Sequence, residues 1–363
     1  MAHGTITTAG RSPRVHTGCL ECEEDMKVAV INSSYMGMKP ADRIYNLGVD
    51  KIARYHRFCG DEVYAGPWAP MMLGDSFATQ EADKFYFSVI FTWDIPAMIR
   101  QVRLVLEWGK QVEIGGPAAT FMHTYIHNQT GIETHFGLDD RFERIPGDYQ
   151  LTFTSRGCPN KCQYCGVKKV EPVALEYNYF SLADRIGDNN IISTSWEHQE
   201  LVVDRFVKYG REIDINSGFD VRFFQEKHYQ LYSQLRIFTW RFAFDSMEVE
   251  DDVRRVAKMM SSKGLERHHV TFYCLIGFPG QTVEECLYRL NTIRELGMNP
   301  YPMRFWPLNS LDRSFVAKGW DDYLLQRMSA YYQTPWLWMA DSWENFRPGK
   351  KVLKNHVEQQ SFL

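Results

Sequence analysis

From residue 27 onward the chain alternates between two kinds of hydrophobic pattern. Short runs of consecutive apolar residues predict buried strands, and longer segments with an apolar residue every three or four positions predict amphipathic helices. Before residue 145 we expect strands at Lys27–Ile31, Glu62–Tyr64, Phe85–Phe91 and Gln111–Ile114, and helices at Arg43–Cys59 and Ile95–Trp108. Because strands alternate with helices, residues 27–145 are predicted to form an open, doubly wound (Rossmann- or flavodoxin-like) α/β domain.

A second alternating series follows a Pro146-Gly147 turn, which we interpret as the linker. Its strands are expected at Leu151–Ser155, Ile191–Thr194, Glu212–Asn216, Phe238–Phe244, His269–Ile276 and Pro302–Trp306. The clearest helices are expected at Glu200–Tyr209, Val249–Lys263 and Val283–Leu296. Six repeats of strand then helix predict an incomplete (β/α)6 barrel over residues 146–311.

The two ends of the chain differ from these domains. Residues 1–26 lack hydrophobic periodicity and are expected to form a flexible leader. Its Cys19 and Cys22 are interpreted either as an unoccupied dithiol or as half of a zinc site. Residues 312–363 are rich in Trp and Tyr, and we expect them to form a helical cap over the barrel.

Composition narrows the class of protein. Of the 363 residues, 44% are hydrophobic and 24% charged, which excludes disorder as the main state. The formal net charge of -4 provides no overall positive field for a polyanion such as DNA. Because no apolar run is long enough to span a bilayer and no secretory signal is evident, we expect a cytoplasmic protein without a membrane partner. In that compartment the eight cysteines are expected to be thiols or metal ligands.

The sharpest chemical feature is a cysteine cluster directly after the first strand of the second domain. Cys158, Cys162 and Cys165 are spaced Cys-x-x-x-Cys-x-x-Cys, so one loop can curl three thiolates around a metal site. A structural zinc site needs a fourth ligand, which would have to come from a distant residue such as Cys274 or a histidine. A [4Fe–4S] cluster held by three cysteines instead leaves one iron open to a small molecule.

This spacing, with aromatic Tyr164 just before the third cysteine, resembles the motif of the radical S-adenosylmethionine (SAM) superfamily. The resemblance implies a [4Fe–4S] cluster on the three cysteines, with SAM chelating the fourth iron through its amino and carboxylate groups. It further implies reductive cleavage of SAM to a 5′-deoxyadenosyl radical that acts on a substrate, here unidentified. The electron would come from a reductant such as a flavodoxin or ferredoxin.

Functional loops of such barrels lie at the carboxyl ends of the strands, and candidate SAM contacts are expected there. The family's usual glycine-glycine-glutamate motif is missing, so the hydroxyls of Ser193 and Ser195 are the candidates to face the amino group of SAM. Asn216, Asp220 and Arg222 follow the third strand, where Arg222 could clamp the SAM carboxylate. The alternative for Asp220 and Arg222 is a structural ion pair.

Two later strand ends supply further candidates. Asp245 is predicted to take the ribose or the substrate, with helix capping by Asp245 or Ser246 as the alternative. The turn containing Gly277 and Pro279 is similar to the Gly-x-Pro-Gly-x-Thr turn of many radical SAM enzymes, and it would let the backbone approach the adenine. Its last residue, Thr282, is predicted to cap the next helix.

An α/β domain ahead of such a barrel resembles the cobalamin-binding domain of some radical SAM enzymes. Segments Asn216–Arg222, Arg241–Asp245 and Pro302–Leu308 also look like an uncharacterised bacterial and phage group with a similar amino-terminal domain. The loop Asn32–Met38 lacks the Asp-x-His-x-x-Gly motif that supplies a cobalt ligand. We therefore favour a degenerate domain that covers the barrel mouth or recognises substrate, and keep cobalamin as the less favoured cofactor.

Three hypotheses follow from the sequence. The first is a radical SAM enzyme that acts on an unidentified substrate. The second is a cobalamin-dependent radical SAM methyltransferase. The third belongs to another class, a non-catalytic zinc or iron–sulfur binding module.

Overall fold

A computed structural model describes residues 26–35, 45–68, 79–143 and 145–348, which form an α/β structure. Three features that were predicted from the sequence lie outside the described residues: nearly all of the leader with Cys19 and Cys22, the first residues of the helix expected from Arg43, and the chain beyond residue 348. No helix in the described part of the chain combines the length and apolar character that crossing a membrane requires.

The first half contains a four-stranded sheet. Its strands are β1 (Lys27–Asn32), β2 (Glu62–Gly66), β3 (Lys84–Ser88) and β4 (Gln111–Gly115), in the order β2-β1-β3-β4. Every pair is parallel, with Val28 opposite both Val63 and Lys84. Residues 28–31 of β1 are completely buried, as expected of a central parallel strand that is covered on both faces. The predicted strands are thus confirmed to within a few residues.

Five helices accompany this sheet: α1 (Leu47–Cys59), α2 (Ile95–Glu107), α3 (Pro117–Phe121), α4 (His123–Thr130) and α5 (Asp140–Glu143). The side chain of Asn46 caps α1 by accepting from the N–H of Val49 at 3.3 Å. Gly60 ends the helix in the left-handed region at φ 98°, which favours glycine.

The second half contains eight strands, several of them very short: β5 (Ser155–Arg156), β6 (Leu175–Glu176), β7 (Arg185–Ile186), β8 (Glu212–Ile215), β9 (Arg236–Ile237), β10 (Trp240–Ala243), β11 (Val270–Ile276) and β12 (Asn299–Arg304). Strand β5 pairs antiparallel with β6, and Thr152, just before β5, bridges Ile186 of β7 in parallel. The series β7-β8-β9 and β10-β11-β12 are each parallel and run in chain order. Within each series the strands are therefore parallel and sequential, as the alternation of strands and helices predicts.

Two of the predicted strands were misplaced. The apolar segment expected as a strand at Ile191–Thr194 is a 3-10 helix over Ile191–Ser193, and the strand is β7, five residues earlier. The hydroxyls of Ser193 and Thr194 donate to the carbonyls of Asn190 and Ile191, a local pairing that competes with a strand ladder. The last strand begins at Asn299, ahead of the predicted Pro302.

Helices and one large core complete the second half. The helices are α6 (Val167–Val170), α7 (Trp196–Tyr209), α8 (Glu226–Tyr232), α9 (Glu250–Ser262), α10 (Val283–Glu295), α11 (Asp322–Tyr332) and α12 (Pro335–Ala340). A continuous hydrophobic cluster runs from Phe180 to Phe346 and includes the buried rings of Trp320, Tyr331 and Tyr332. Within its described residues, the aromatic-rich segment after residue 312 therefore contains the helices α11 and α12, and it packs onto the core of the second half.

Candidate functional site

The cysteine loop, residues 157–166, begins where β5 ends. Gly157 lies in the left-handed region at φ 76°, and a Cβ there would be 2.5 Å from the carbonyl oxygen of Val173, so only glycine fits. Cys158 and Cys162 are half-buried, and Cys165 is exposed. Although the side chain of Cys165 reaches solvent, the protein around its sulfur raises the pKa of the thiol by partial desolvation. The N–H of Val167 opposes this effect, and the charges of Cys162 and Cys158 add to it.

The loop differs from a closed site for a single metal ion. Among the described residues, no group of three or more His, Cys, Asp or Glu side chains is arranged to hold one ion. The cysteines of a four-iron cluster bind different iron atoms, so they stand farther apart than the ligands of a single ion. Three soft thiol donors in one loop match the chemistry that iron–sulfur clusters select. The donor set therefore fits such a cluster.

An amide supports the first cysteine. The Nδ2 group of Asn190 donates to the sulfur of Cys158 at 3.7 Å and to Oδ2 of Asp220 at 3.2 Å. Asn190 is 5% exposed, and its Oδ1 atom is buried without a partner among the described residues. Hydrogen bonds from outside the ligand set fix the orientation and charge of metal-binding sulfurs. The hydrogen bond from Asn190 is therefore placed to fix the orientation and charge of the Cys158 sulfur.

Asp220 joins the cysteine loop to the following strands. Its Oδ2 atom also accepts from the Nδ2 group of Asn160, between the first two cysteines, at 2.9 Å. Arg222 donates to the same carboxylate through Nε at 2.8 Å and Nη2 at 2.6 Å. Burial raises the pKa of Asp220, but the hydrogen bonds from Arg222 and Asn160 outweigh it and hold the pKa below its ordinary value.

The ion pair that was the alternative interpretation of Asp220 and Arg222 is present in the structure. Asp220 binds the guanidinium through its Nε and Nη2 groups, the edge that would form a two-point contact with a carboxylate. The Nη1 group makes no hydrogen bond to another described residue.

Tyr164 and Asp245 meet across the mouth. The hydroxyl of Tyr164 donates to Oδ2 of Asp245 at 3.2 Å, and Oδ1 accepts from the N–H of Leu275 at 2.7 Å. Burial raises the pKa of Asp245 above its ordinary value, against the opposing effects of the Leu275 N–H and the charge of Arg289. Ser246, and not Asp245, caps the next turn by accepting from the N–H of Glu248. The Asp245 carboxylate therefore faces the cysteine loop.

The remaining predicted SAM contacts are dispersed. Asn216 and Gly277 lie at the carboxyl ends of β8 and β11, and exposed Pro279 lies in the turn after β11. Gly277 adopts φ 76°, and a Cβ there would be 2.8 Å from a methyl group of Leu325, which explains the glycine. Beside this turn, the ring of Phe278 lies edge-on to Tyr164 at 5.9 Å.

The predicted positions of Ser193 and Ser195 at a strand end are wrong. Ser193 donates to the carbonyl of Asn190 within its own turn. Ser195 caps α7, accepting from the N–H of His198 at 3.2 Å, and donates to Glu176 at 2.7 Å. Both hydroxyls therefore make local hydrogen bonds, and neither lies at the end of a strand.

Sequence reasoning missed the side chains that follow the real second strand. Asp188 is 1% exposed and accepts from the N–H of Thr154 at 2.6 Å and from the hydroxyl of Ser155 at 2.9 Å. It therefore ties β5 to the segment after β7. Asn190 then reaches Cys158. The only available signal for Asn160 and Asn190 was their amide chemistry next to a cysteine motif and a predicted strand.

A large cavity lies away from this site. It has a volume of about 1290 Å³ and is lined at the amino ends of β7 and β8 by residues that include Arg185, Glu212 and Asp214. Since chemistry in such folds is carried by the carboxyl ends, we place the candidate site at the cysteine loop.

Comparison with known proteins adds no assignment. No protein-family model matches the chain, and no similar sequence is found among curated proteins.

Proposed function

We propose that the chain is a radical SAM enzyme that binds a [4Fe–4S] cluster through Cys158, Cys162 and Cys165. One observation carries the proposal: the loop that contains three thiols and Tyr164 is contacted by Asn190, Asp220 and Asp245, which follow the carboxyl ends of β7, β8 and β10. When bound, the cluster and SAM supply one-electron reductive cleavage and hence abstraction of a hydrogen atom from a substrate.

The side chains around the loop have different roles in binding. The amide of Asn190 holds the Cys158 sulfur, and Asp220 holds that amide together with Asn160. In this proposal the free Nη1 group of Arg222 attracts the carboxylate of SAM, and Asp245 accepts from its ammonium or ribose hydroxyl groups. The rings of Tyr164 and Phe278 form an apolar wall beside them.

Anaerobic reconstitution tests the proposal. The wild-type chain should bind about four iron atoms, and dithionite with SAM should release 5′-deoxyadenosine. The triple variant Cys158→Ala/Cys162→Ala/Cys165→Ala should lose both the iron and the product. Cys59→Ala, which removes a thiol of α1, should retain both.

Two outcomes would contradict the proposal. One is release of 5′-deoxyadenosine by the triple variant at the wild-type rate. The other is a tightly bound zinc ion with four protein ligands and no SAM affinity, which would support a non-catalytic binding module.

A further inference from the structure

Four charged side chains from both halves of the chain form a buried chain of ion pairs, here called the charge bridge. Lys51 of α1 contacts Glu143 of α5 at 2.9 Å, Glu143 contacts Arg156 of β5 at 3.3 Å, and Arg156 contacts Glu171 at 3.0 Å. The side chains of Lys51, Glu143, Arg156 and Glu171 are 10%, 12%, 6% and 9% exposed. Two cations therefore alternate with two carboxylates, away from solvent.

Such an arrangement is sensitive to the loss of any member. Burying charges is costly, and a buried pair is maintained only when its geometry and its further hydrogen bonds compensate. Here Arg156 also lies over the ring of Phe153, 3.5 Å from its centroid, and Tyr177 donates to Glu143 at 3.4 Å. Removing Lys51 would leave Glu143 with one cationic partner in place of two.

Glu171, the last residue of the charge bridge, accepts hydrogen bonds from two segments next to Cys158. Oε2 of Glu171 accepts from the N–H of Gly157 at 3.0 Å, directly before Cys158. The same oxygen accepts from the side-chain amide of Asn189, directly before Asn190. Because Asn190 donates to the Cys158 sulfur, Glu171 holds the residue before that cysteine and the residue before its hydrogen-bond donor.

The segment after Glu171 also contacts the loop directly. The carbonyl oxygen of Val173 occupies the space that a Cβ on Gly157 would need, at 2.5 Å. Gly157 is thus enclosed by the carboxylate of Glu171 and the backbone of Val173. A displacement of Glu171 therefore moves the start of the cysteine loop.

We propose that the charge bridge positions Cys158, so that the first half of the chain sets the geometry of the cysteine loop. Lys51, Glu143, Arg156 and Glu171 are positioning residues in this scheme, and none of them contacts substrate or cofactor. The inference rests on the proposed function only for its consequence for metal binding. Its structural part concerns the protein without any metal.

Amide hydrogen exchange of the metal-free chain under anaerobic conditions tests the structural part. Lys51→Met should speed exchange of the Gly157 and Cys158 amides about tenfold or more, because opening the loop becomes easier once a buried charge is left under-compensated. Lys51 does not contact these amides, so the effect has to be transmitted by Glu143 and Arg156. Lys51→Arg retains the charge and should restore slow exchange.

Lys84→Met is the matched control. Lys84 lies in the same domain and contacts Glu113 at 2.6 Å, with side chains 18% and 20% exposed, but neither residue belongs to the charge bridge. This variant should leave exchange in residues 155–166 unchanged. Glu171→Gln, which acts next to the loop, should reproduce the effect of Lys51→Met and serves if that variant fails to fold.

Iron reconstitution of the same variants separates the two proposals. Lys51→Met and Glu171→Gln should retain less iron than Lys84→Met, with an altered spectrum of the bound iron. Unchanged loop exchange in both Lys51→Met and Glu171→Gln, or an equal increase in Lys84→Met, would overturn the inference. Faster exchange in a chain whose wild type binds no iron would instead overturn the proposed function and leave the inference standing.

Discussion

Arg222, Asn160 and Asn190 all donate hydrogen bonds to the carboxylate of Asp220. A substitution that removes the charge of Asp220 is therefore the most informative test of the site. Asp220→Asn conserves the shape of the side chain but replaces one accepting oxygen with an amide nitrogen. At least one donor then faces another donor. The ion pair with Arg222 is lost in the same change.

The magnitude follows from burial. The side chain of Asp220 is 9% exposed, but that of Arg222 is 39% exposed. Breaking a fully buried pair costs about 3–5 kcal/mol, and exposure of one partner lowers that cost. We expect Asp220→Asn to lower the free energy of unfolding by about 2 kcal/mol, and Tm by roughly 2–4 °C for a structure of this size. Differential scanning calorimetry measures both quantities.

A second ion pair between strands of the second half provides the control. Asp214 of β8 binds Arg241 of β10 through two contacts of 2.7 and 3.1 Å. Asp214→Asn should cost a similar amount of stability. Only Asp220→Asn should weaken SAM binding to the reconstituted protein, by about tenfold, since it releases Arg222 and the loop amide together. Equal SAM affinity of the two variants would refute the assignment of Asp220 to the site.

The pH dependence gives an independent check. Because the folded pKa of Asp220 lies below the ordinary value of 3.8, its stabilising contribution is present above that value and is lost as the pH falls through the folded pKa. The stability difference between wild type and Asp220→Asn should therefore be constant near neutral pH and should shrink as the pH falls into the acid range. A difference that widens on acidification would contradict the ion-pair account.

Two further predictions concern the contact between the halves. Gly166→Ala should lower Tm, because its Cβ would be 2.2 Å from the ring of Phe121, whereas Gly115→Ala, whose Cβ would have 3.8 Å of clearance, should leave Tm within a few degrees. Equal melting of the two variants would contradict this contact. Burial raises the pKa of Asp94 to about 6, so ionising it costs folding free energy above that pH. Asp94→Asn should therefore be more stable than wild type at pH 8 by about 1–2 kcal/mol, and this gain should decrease as the pH falls below about 6. Chemical denaturation at several pH values measures the difference in stability. A gain that increases in acid would refute the prediction.

Where local chemistry decides the structure, the sequence was informative. Thr282 was predicted to cap a helix, and its hydroxyl accepts from the N–H of Glu285 at 3.1 Å, at the start of α10. Cys274 and Cys286 stand in apolar segments of the sequence, and both are fully buried, with Arg289 donating to their sulfurs. In each case the neighbours in sequence, or the apolar pattern, determine the outcome.

Where long-range contacts decide, the sequence was insufficient. The Ile191–Ile192 pair has the composition of a strand, yet β7 is the two-residue segment Arg185–Ile186, set by its pairing with Thr152 and β8. The observed strand ends five residues before the predicted one begins. Asn190, and not Ser193 or Ser195, is therefore the residue that reaches the cysteine loop from this strand end. Likewise, nothing local indicates that Glu171 belongs to a chain of ion pairs with Lys51, which is distant in sequence.

The two halves meet at the carboxyl ends of their strands. Thr92, beyond β3, donates to the carbonyl of Ser310, beyond β12, and the rings of Trp93 and Trp306 lie 6.5 Å apart. Phe121 of α3, which follows β4, packs against the cysteine loop at Gly166.

Ligands of open α/β sheets bind outside the carboxyl ends of the strands, and the chemistry of barrels lies at the same end. A molecule held by the first sheet would therefore face the cysteine loop across this boundary. That placement is what a substrate-recognising first domain requires. The charge bridge on one side and Phe121 on the other both tie the first half to the loop. In the proposed enzyme these contacts would fix the distance between substrate and reactive group.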